Sequence, residues 1–260
     1  MRQWAAAMVI SVVLASCGSV ASTPSTGSPS GSITVLAAAS LTAAFDRIGA
    51  DFQQAHPGTA VHFSFAGSAT LVAQVQEGAM ADVLASADEP SMQKLVAGGL
   101  VQGSPSVFAR NQLQIVVAPG NPKHITGLSD LGRSGLVIVL CAAVVPCGRY
   151  ATQSLHKAGV TVKPASLEAD VKAVVSKVAL GEADAGIVYA TDVRAAGPRV
   201  QGIDIPGGLN VIADYPIALL KDSQNVRLAK AFVAYVLEDV PQSGRPSGQQ
   251  TLGQYGFLGP

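Results

Sequence analysis

Charge and aromatic rings are both scarce in this sequence: of its 260 residues, 13% are charged and 5% aromatic. Seventeen basic residues balance 17 acidic ones, with no run of either sign. That leaves no basic footprint for a nucleic acid and no charged tail. His56, His62, His124 and His156 stand at no ligand spacing to the three cysteines, which argues against a metal-cation site. Cys141 and Cys147 have five residues between them rather than two, so they do not form the redox motif Cys-x-x-Cys. The apolar segment from Ala5 to Ala15 is too short to span a bilayer permanently.

What the chain does have is small and apolar. It is 48% hydrophobic, with 27 glycines and 15 prolines, which suits a small-residue α/β core with many tight turns. Met1-Arg2 gives a positive start, and Leu14-Ala15-Ser16-Cys17-Gly18 resembles a bacterial lipoprotein signal. That resemblance implies a signal peptide over 1–16, a lipid on Cys17, and an extracytoplasmic protein anchored to the membrane through that lipid. Residues 17–31 then form a tether of small and polar residues that cannot build a core. In an oxidising compartment the remaining pair, Cys141 and Cys147, is expected to form a disulfide.

The chain is organised around Ile33-Thr34-Val35-Leu36-Ala37-Ala38-Ala39-Ser40-Leu41. The β-prone run predicts a strand, and Leu41, Ala44, Phe45, Ile48 and Phe52 follow at helical spacing. Ser40 is placed at the N-cap of that helix. Val61, Phe63 and Phe65 alternate as a second strand, and Ala66-Gly67-Ser68 leads into a second helix. Two serines at two strand-to-helix junctions converge on one spot at the carboxyl end of a parallel sheet, where unpaired helix-start amides favour an anion.

A third strand is expected over Asp82–Ala87, with Asp88-Glu89-Pro90 opening a helix that Gly98-Gly99 ends. Strands follow at Leu113–Ala118, Leu136–Leu140, Ala185–Tyr189 and Val211–Leu220, the last interrupted by Pro216. Val145–Tyr150 turns into a helix, Asp170 precedes another, and Val226–Leu237 and Gln249–Tyr255 read as the final two. Pro119-Gly120-Asn121-Pro122 is a strong break and a candidate first crossing between lobes. Arg149, on the first turn of its helix, reads as a solvated surface arginine, with a contact to the anion as the alternative.

Several of these fragments, taken in order, resemble the ModA-type molybdate-binding lipoproteins of ABC importers. They are Ala37-Ala38-Ala39-Ser40-Leu41, Phe65-Ala66-Gly67-Ser68, Gly78-Ala79-Met80-Ala81-Asp82-Val83 and Ser86-Ala87-Asp88, then Val145-Pro146-Cys147-Gly148, Asp170-Val171, Gly186-Ile187-Val188-Tyr189 and Tyr255-Gly256-Phe257. The resemblance implies an α/β periplasmic-binding-protein fold of the second type, in which each lobe is a mainly parallel sheet flanked by helices. Lobe 1 would comprise 33–112 plus 217–260 and lobe 2 113–216, with the cleft between them. It further implies that molybdate or tungstate is held by the Ser40 and Ser68 hydroxyls, by amides at Cys147 and Val171, and by the Tyr189 hydroxyl. A monomer would then deliver the anion to an ABC permease, with no cofactor. The family often has alanine where this chain has Cys147, a swap that a backbone donor tolerates.

The chemistry agrees. Molybdate is a dianion near neutral pH and needs donors only, which hydroxyls and helix-start amides supply without a full positive charge. A phosphate site would want a carboxylate to accept the remaining proton. Of the nearby aspartates, Asp82, Asp170 and Asp192, the closest is Asp170, which is explained more simply as a helix cap. Sulfate or another tetrahedral oxyanion is the alternative ligand, since cavity size separates these ions. An enzyme on the same fold is the weaker alternative, because no histidine or lysine lies near Ser40 or Ser68 in sequence to act as a base.

Overall fold

The computed structural model describes residues 29–241 and 244–260. The expected signal peptide, Cys17 and most of the tether lie outside these residues. Among the described residues no helix is long and apolar enough to cross a membrane.

The chain begins as alternating strand and helix: β1 (Gly31–Ala38), α1 (Thr42–Ala55), β2 (Thr59–Ala66), α2 (Ser68–Gln76), β3 (Val83–Ala85) and α3 (Glu89–Ala97). A long strand, β4 (Val101–Val117), leads to β5 (Ile138–Cys141), α4 (Pro146–Lys157), β6 (Ser166–Glu168), α5 (Val171–Ala179), β7 (Ala185–Tyr189) and α6 (Ala190–Ala196). Then come β8 (Gln201–Asp204), β9 (Ile212–Leu220), α7 (Val226–Leu237) and α8 (Gly248–Gln254). The strands form one nine-stranded sheet in the order β2-β1-β3-β9-β4-β7-β5-β6, with β8 also paired to β4. Strands β2, β1 and β3 are parallel, as are β7, β5 and β6, and the antiparallel pair β9 and β4 joins the two sets.

Strand periodicity sorts the core of the first half. Val35, Ala37, Val83, Ala85 and Ile217 face one side, where Phe45, Ile48 and Phe52 of α1 meet Leu228 and Phe232 of α7. Phe52 and Phe232 pack edge to face with centroids 5.4 Å apart. Leu36, Leu84 and Ala218 face the other side, under Leu71 and Val72 of α2 and Met92 and Leu95 of α3. Burying each of the valine, leucine, isoleucine, phenylalanine and methionine side chains among them contributes roughly 1.5–3 kcal/mol.

Strands β6 and β8 and helix α6 were not anticipated from the sequence, and two further elements differ from the expectation. The strand expected over Leu113–Ala118 is only the last part of β4, which starts at Val101. Gly103 and Pro105 break the alternation there, and the pairing with β9 tolerates them through register shifts between Gln102 and Ser106 and between Val107 and Ala109. Ser40 is not an N-cap. A 3-10 turn over Ala39–Leu41 intervenes, α1 starts after Leu41, and no side chain caps it.

Candidate functional site

Six strand-to-helix connections end on one cavity. Its lining residues are Ala38, Ala39 and Ser40 at the end of β1, Gly67 and Ser68 after β2, and Ala87 after β3, then Val145, Pro146 and Cys147 at the start of α4, Asp170 and Val171 at α5, and Tyr189 at the end of β7. All five side chains or backbone positions expected from the sequence (Ser40, Ser68, Cys147, Val171 and Tyr189) lie on this wall. The space open to the centre of a water molecule is about 20 Å³. One bound water needs roughly 10–15 Å³ by the same measure, so the enclosed space is on the scale of a small solute.

Each serine is held from behind. Ser40 Oγ lies 2.9 Å from the Tyr215 hydroxyl, which also accepts a long bond of 3.4 Å from Asn111 Nδ2. If Tyr215 donates to Ser40, the serine proton is left for the cavity. Ser68 Oγ accepts from the Ala87 amide at 3.0 Å, which likewise leaves its proton free to donate. Asn111 and Tyr215 were not singled out in the sequence: both lie on strands far from Ser40 in the chain, and no local spacing reveals them.

The helix starts supply the amides. Ser68 is the first residue of α2, Pro146 and Cys147 open α4, and Val171 opens α5. In α4 the first intrahelical bond runs from the Arg149 amide to the Val145 carbonyl at 3.0 Å, so Cys147 and Gly148 precede the helical ladder. Gly148 is forced by packing, because a Cβ there would stand 2.1 Å from the Ala142 carbonyl oxygen. The Cys141–Cys147 disulfide is formed, with Cα atoms 5.9 Å apart, and pins the first turn of α4 to the end of β5. Asp170 is the N-cap of α5, its Oδ1 accepting from the Ala173 amide at 3.0 Å.

Among the described residues no lysine, arginine or histidine lines the cavity. Arg149, read from sequence as solvated, is instead an ion-pair partner. Its Nε donates to Asp88 Oδ2 at 2.9 Å, its Nη2 reaches the same oxygen, and Nη1 donates to the Val144 carbonyl. Asp88 is fully buried and caps α3 by accepting from the Ser91 amide. Of the other aspartates considered, Asp82 belongs to the first half, where it accepts from the Thr34 and Gln224 amides and the Ser223 hydroxyl. Asp192 is buried beside Tyr189, whose amide donates to it at 3.3 Å.

Burial sets the electrostatics. It pushes the Tyr189 and Tyr215 phenols well above their ordinary value of 10, so both remain proton donors at neutral pH. Burial also raises the Asp192 carboxyl to about 7, and the nearby Asp170 adds to the rise while Lys172 opposes it. The Tyr189 hydroxyl has no hydrogen-bond partner among the described residues, and neither does Asp192 Oδ1. A buried orphan hydroxyl costs free energy unless something pairs with it.

Residues 33–258 match the family described as bacterial extracellular solute-binding protein. The chain is 40% identical over 250 residues to the molybdate-binding protein ModA of Mycobacterium tuberculosis, covering 95% of this chain and 93% of that one. The fold is also that of the Azotobacter vinelandii periplasmic molybdate-binding protein, with a TM-score of 0.73 at 22% identity, covering 88% of this chain and 99% of that one. The sulfate-binding protein SubI of M. tuberculosis has a TM-score of 0.76 at 21% identity, covering 87% and 86%.

Proposed function

This chain belongs to the bacterial extracellular solute-binding protein family, with ModA as its relative at 40% identity, and from that premise we propose how it captures its solute. It is the molybdate receptor of an ABC importer. The two halves of the sheet act as lobes, and the anion is enclosed where their strand-to-helix junctions meet. Ser40 and Ser68 donate from one lobe, and the amides of Cys147 and Val171 with the Tyr189 hydroxyl donate from the other. Tungstate, equal in charge and shape class, is the second ligand. A lipid on Cys17 holds the receptor, a monomer, at the extracytoplasmic face near its permease, and the protein binds its ligand without transforming it.

The observation that carries this reading is the Tyr189 hydroxyl. It is buried in a side chain that lines the cavity, stays protonated, and lacks a protein partner among the described residues. A bound acceptor completes it. A tetrahedral dianion fits the remaining donors, because it offers oxygen lone pairs in several directions and carries no proton that would need an acceptor.

Thermal unfolding of the purified protein with millimolar molybdate, tungstate, sulfate and phosphate tests the reading. A ligand at about 1,000 times its dissociation constant stabilises by roughly 4 kcal/mol. Shifts of several degrees with molybdate and tungstate alone are expected. A shift with sulfate alone overturns the ligand assignment, and no shift with any of them overturns the receptor reading.

A further inference from the structure

Gly67 stands at the N-cap of α2 with φ −59° and ψ 138°. Any L-residue adopts that conformation without strain, so the local backbone has no need of glycine. Space is what demands it. A Cβ at Gly67 would lie 2.4 Å from the Ala169 carbonyl oxygen and 3.6 Å from Val145 Cγ1. Both neighbours belong to the other half of the molecule. Gly67 follows β2 and Ala169 follows β6, and these strands are the two opposite ends of the sheet order. They come together only because the halves fold toward each other over the cavity, whose wall includes Gly67, Val145 and Asp170.

We infer that Gly67 is the residue through which the two lobes close on the anion: it is a positioning residue for capture that the open molecule does not require. This rests on the receptor reading above. A methyl group at 67 has nowhere to go in the closed state, because the atom it meets is a backbone carbonyl at the start of a capped helix, not the end of a flexible side chain. In a state with the lobes apart the same methyl group faces solvent. The substitution therefore acts on the closed state alone, and a ligand that binds by closing the lobes loses affinity by the same factor as the closing equilibrium.

Gly67→Ala separates this from a local disturbance of the α2 amides. Three quantities are measured on the wild-type and variant proteins: the ligand-free denaturation midpoint, molybdate affinity by calorimetry, and the radius of gyration by small-angle X-ray scattering with and without saturating molybdate. The expected result is an unchanged ligand-free midpoint, affinity weaker by about 10- to 100-fold, and incomplete compaction of the variant even at saturation. If Gly67→Ala compacts at saturation to the wild-type dimension, or binds with wild-type affinity, the inference fails. A lowered ligand-free midpoint also overturns it, since glycine would then serve the fold itself. If wild-type protein neither binds nor compacts, the receptor reading falls and takes this inference with it; a wild type that responds beside an unaltered variant sinks the inference alone.

Discussion

Arg149 on α4 donates from Nε to Asp88 Oδ2 at 2.9 Å, and so joins the second half of the molecule to the N-cap of α3 in the first. The carboxylate is fully buried and the guanidinium about a quarter exposed. An ion pair with one buried end contributes less by its attraction than it would cost to break, because removing the cation strands the anion.

Arg149→Met should therefore weaken molybdate binding by about 3 kcal/mol or more, since the closed state would bury Asp88 without its partner. Asp88→Asn, which keeps the cap, should restore part of that loss in the double variant. A double-mutant cycle of calorimetric affinities reads the coupling directly. A loss in the double variant equal to the sum of the two single losses would mean that the pair plays no part in closure.

Tyr189→Phe should have effects of opposite sign. Deleting a buried hydroxyl that lacks a partner among the described residues should stabilise the ligand-free protein by about 1 kcal/mol, while molybdate affinity falls by about 1.5–3 kcal/mol. Denaturant unfolding and calorimetry on the same preparation check both. A loss of ligand-free stability would show that the hydroxyl already has a partner.

Ser68→Ala should cost about 1.5–3 kcal/mol of binding, the scale of a hydrogen bond to a charged group. Tyr215→Phe should cost less, about 1 kcal/mol, because Tyr215 is outside the cavity wall and the change removes only its 2.9 Å contact with Ser40 and the long bond from Asn111. If Tyr215→Phe strengthened binding, the direction of donation through Ser40 would have to be reversed, because the serine proton would then have been released to the anion.

Asp192 makes stability depend on pH. Its carboxyl titrates near 7 in the fold against an ordinary 3.8. Below pH 4 both folded and unfolded chains hold the proton, so the group contributes nothing to the difference. As pH rises from 4 to 7 the unfolded chain releases its proton and the folded one does not. Stability falls across that window by roughly 4 kcal/mol and levels above it. Asp192→Asn should remove this slope, as read from urea unfolding at pH 5 and pH 8. Wild type and variant with the same slope would place the titration elsewhere.

Reduction of Cys141–Cys147 should lower stability by about 2 kcal/mol on the chain-entropy model, since the bond closes a short loop. Molybdate affinity should fall with it, because Cys147 sits in the cavity wall. Unfolding and titration with and without reductant would show a stability change alone if the loop keeps its shape unaided.

What could be read from the sequence was local. The Val226–Leu237 helix is found with the expected bounds, Asp170 caps the helix it precedes, and α3 opens at the expected Asp88-Glu89-Pro90, with Asp88 as its cap rather than in its first turn, because periodicity and capping are properties of neighbours in the chain. The resemblance also named five candidate residues that the fold brings to one wall. What escaped was nonlocal. Arg149 looked solvated because its partner lies 61 residues away. Ser40 looked like a cap because nothing nearby betrays Tyr215, 175 residues on. The first part of β4 was hidden by Gly103 and Pro105, and only its pairing with β9 makes it a strand. Gly67 was read as part of a motif, yet its reason for being glycine is a carbonyl on the far side of the cavity.

The position of β9 has a consequence for the order in which the molecule can be completed. It enters between β3 and β4, so residues 83–85 pair on one side with β1 and on the other with a segment that begins at Ile212. Until that segment has been synthesised, Val83, Leu84 and Ala85 form a bare edge of apolar residues, a template for association with other chains. The second set of parallel strands, β5 to β7, needs no such late arrival. Newly made chains should thus be most prone to self-association while the last fifth of the sequence is still missing, and a truncation ahead of Ile212 should yield aggregates rather than a folded first half.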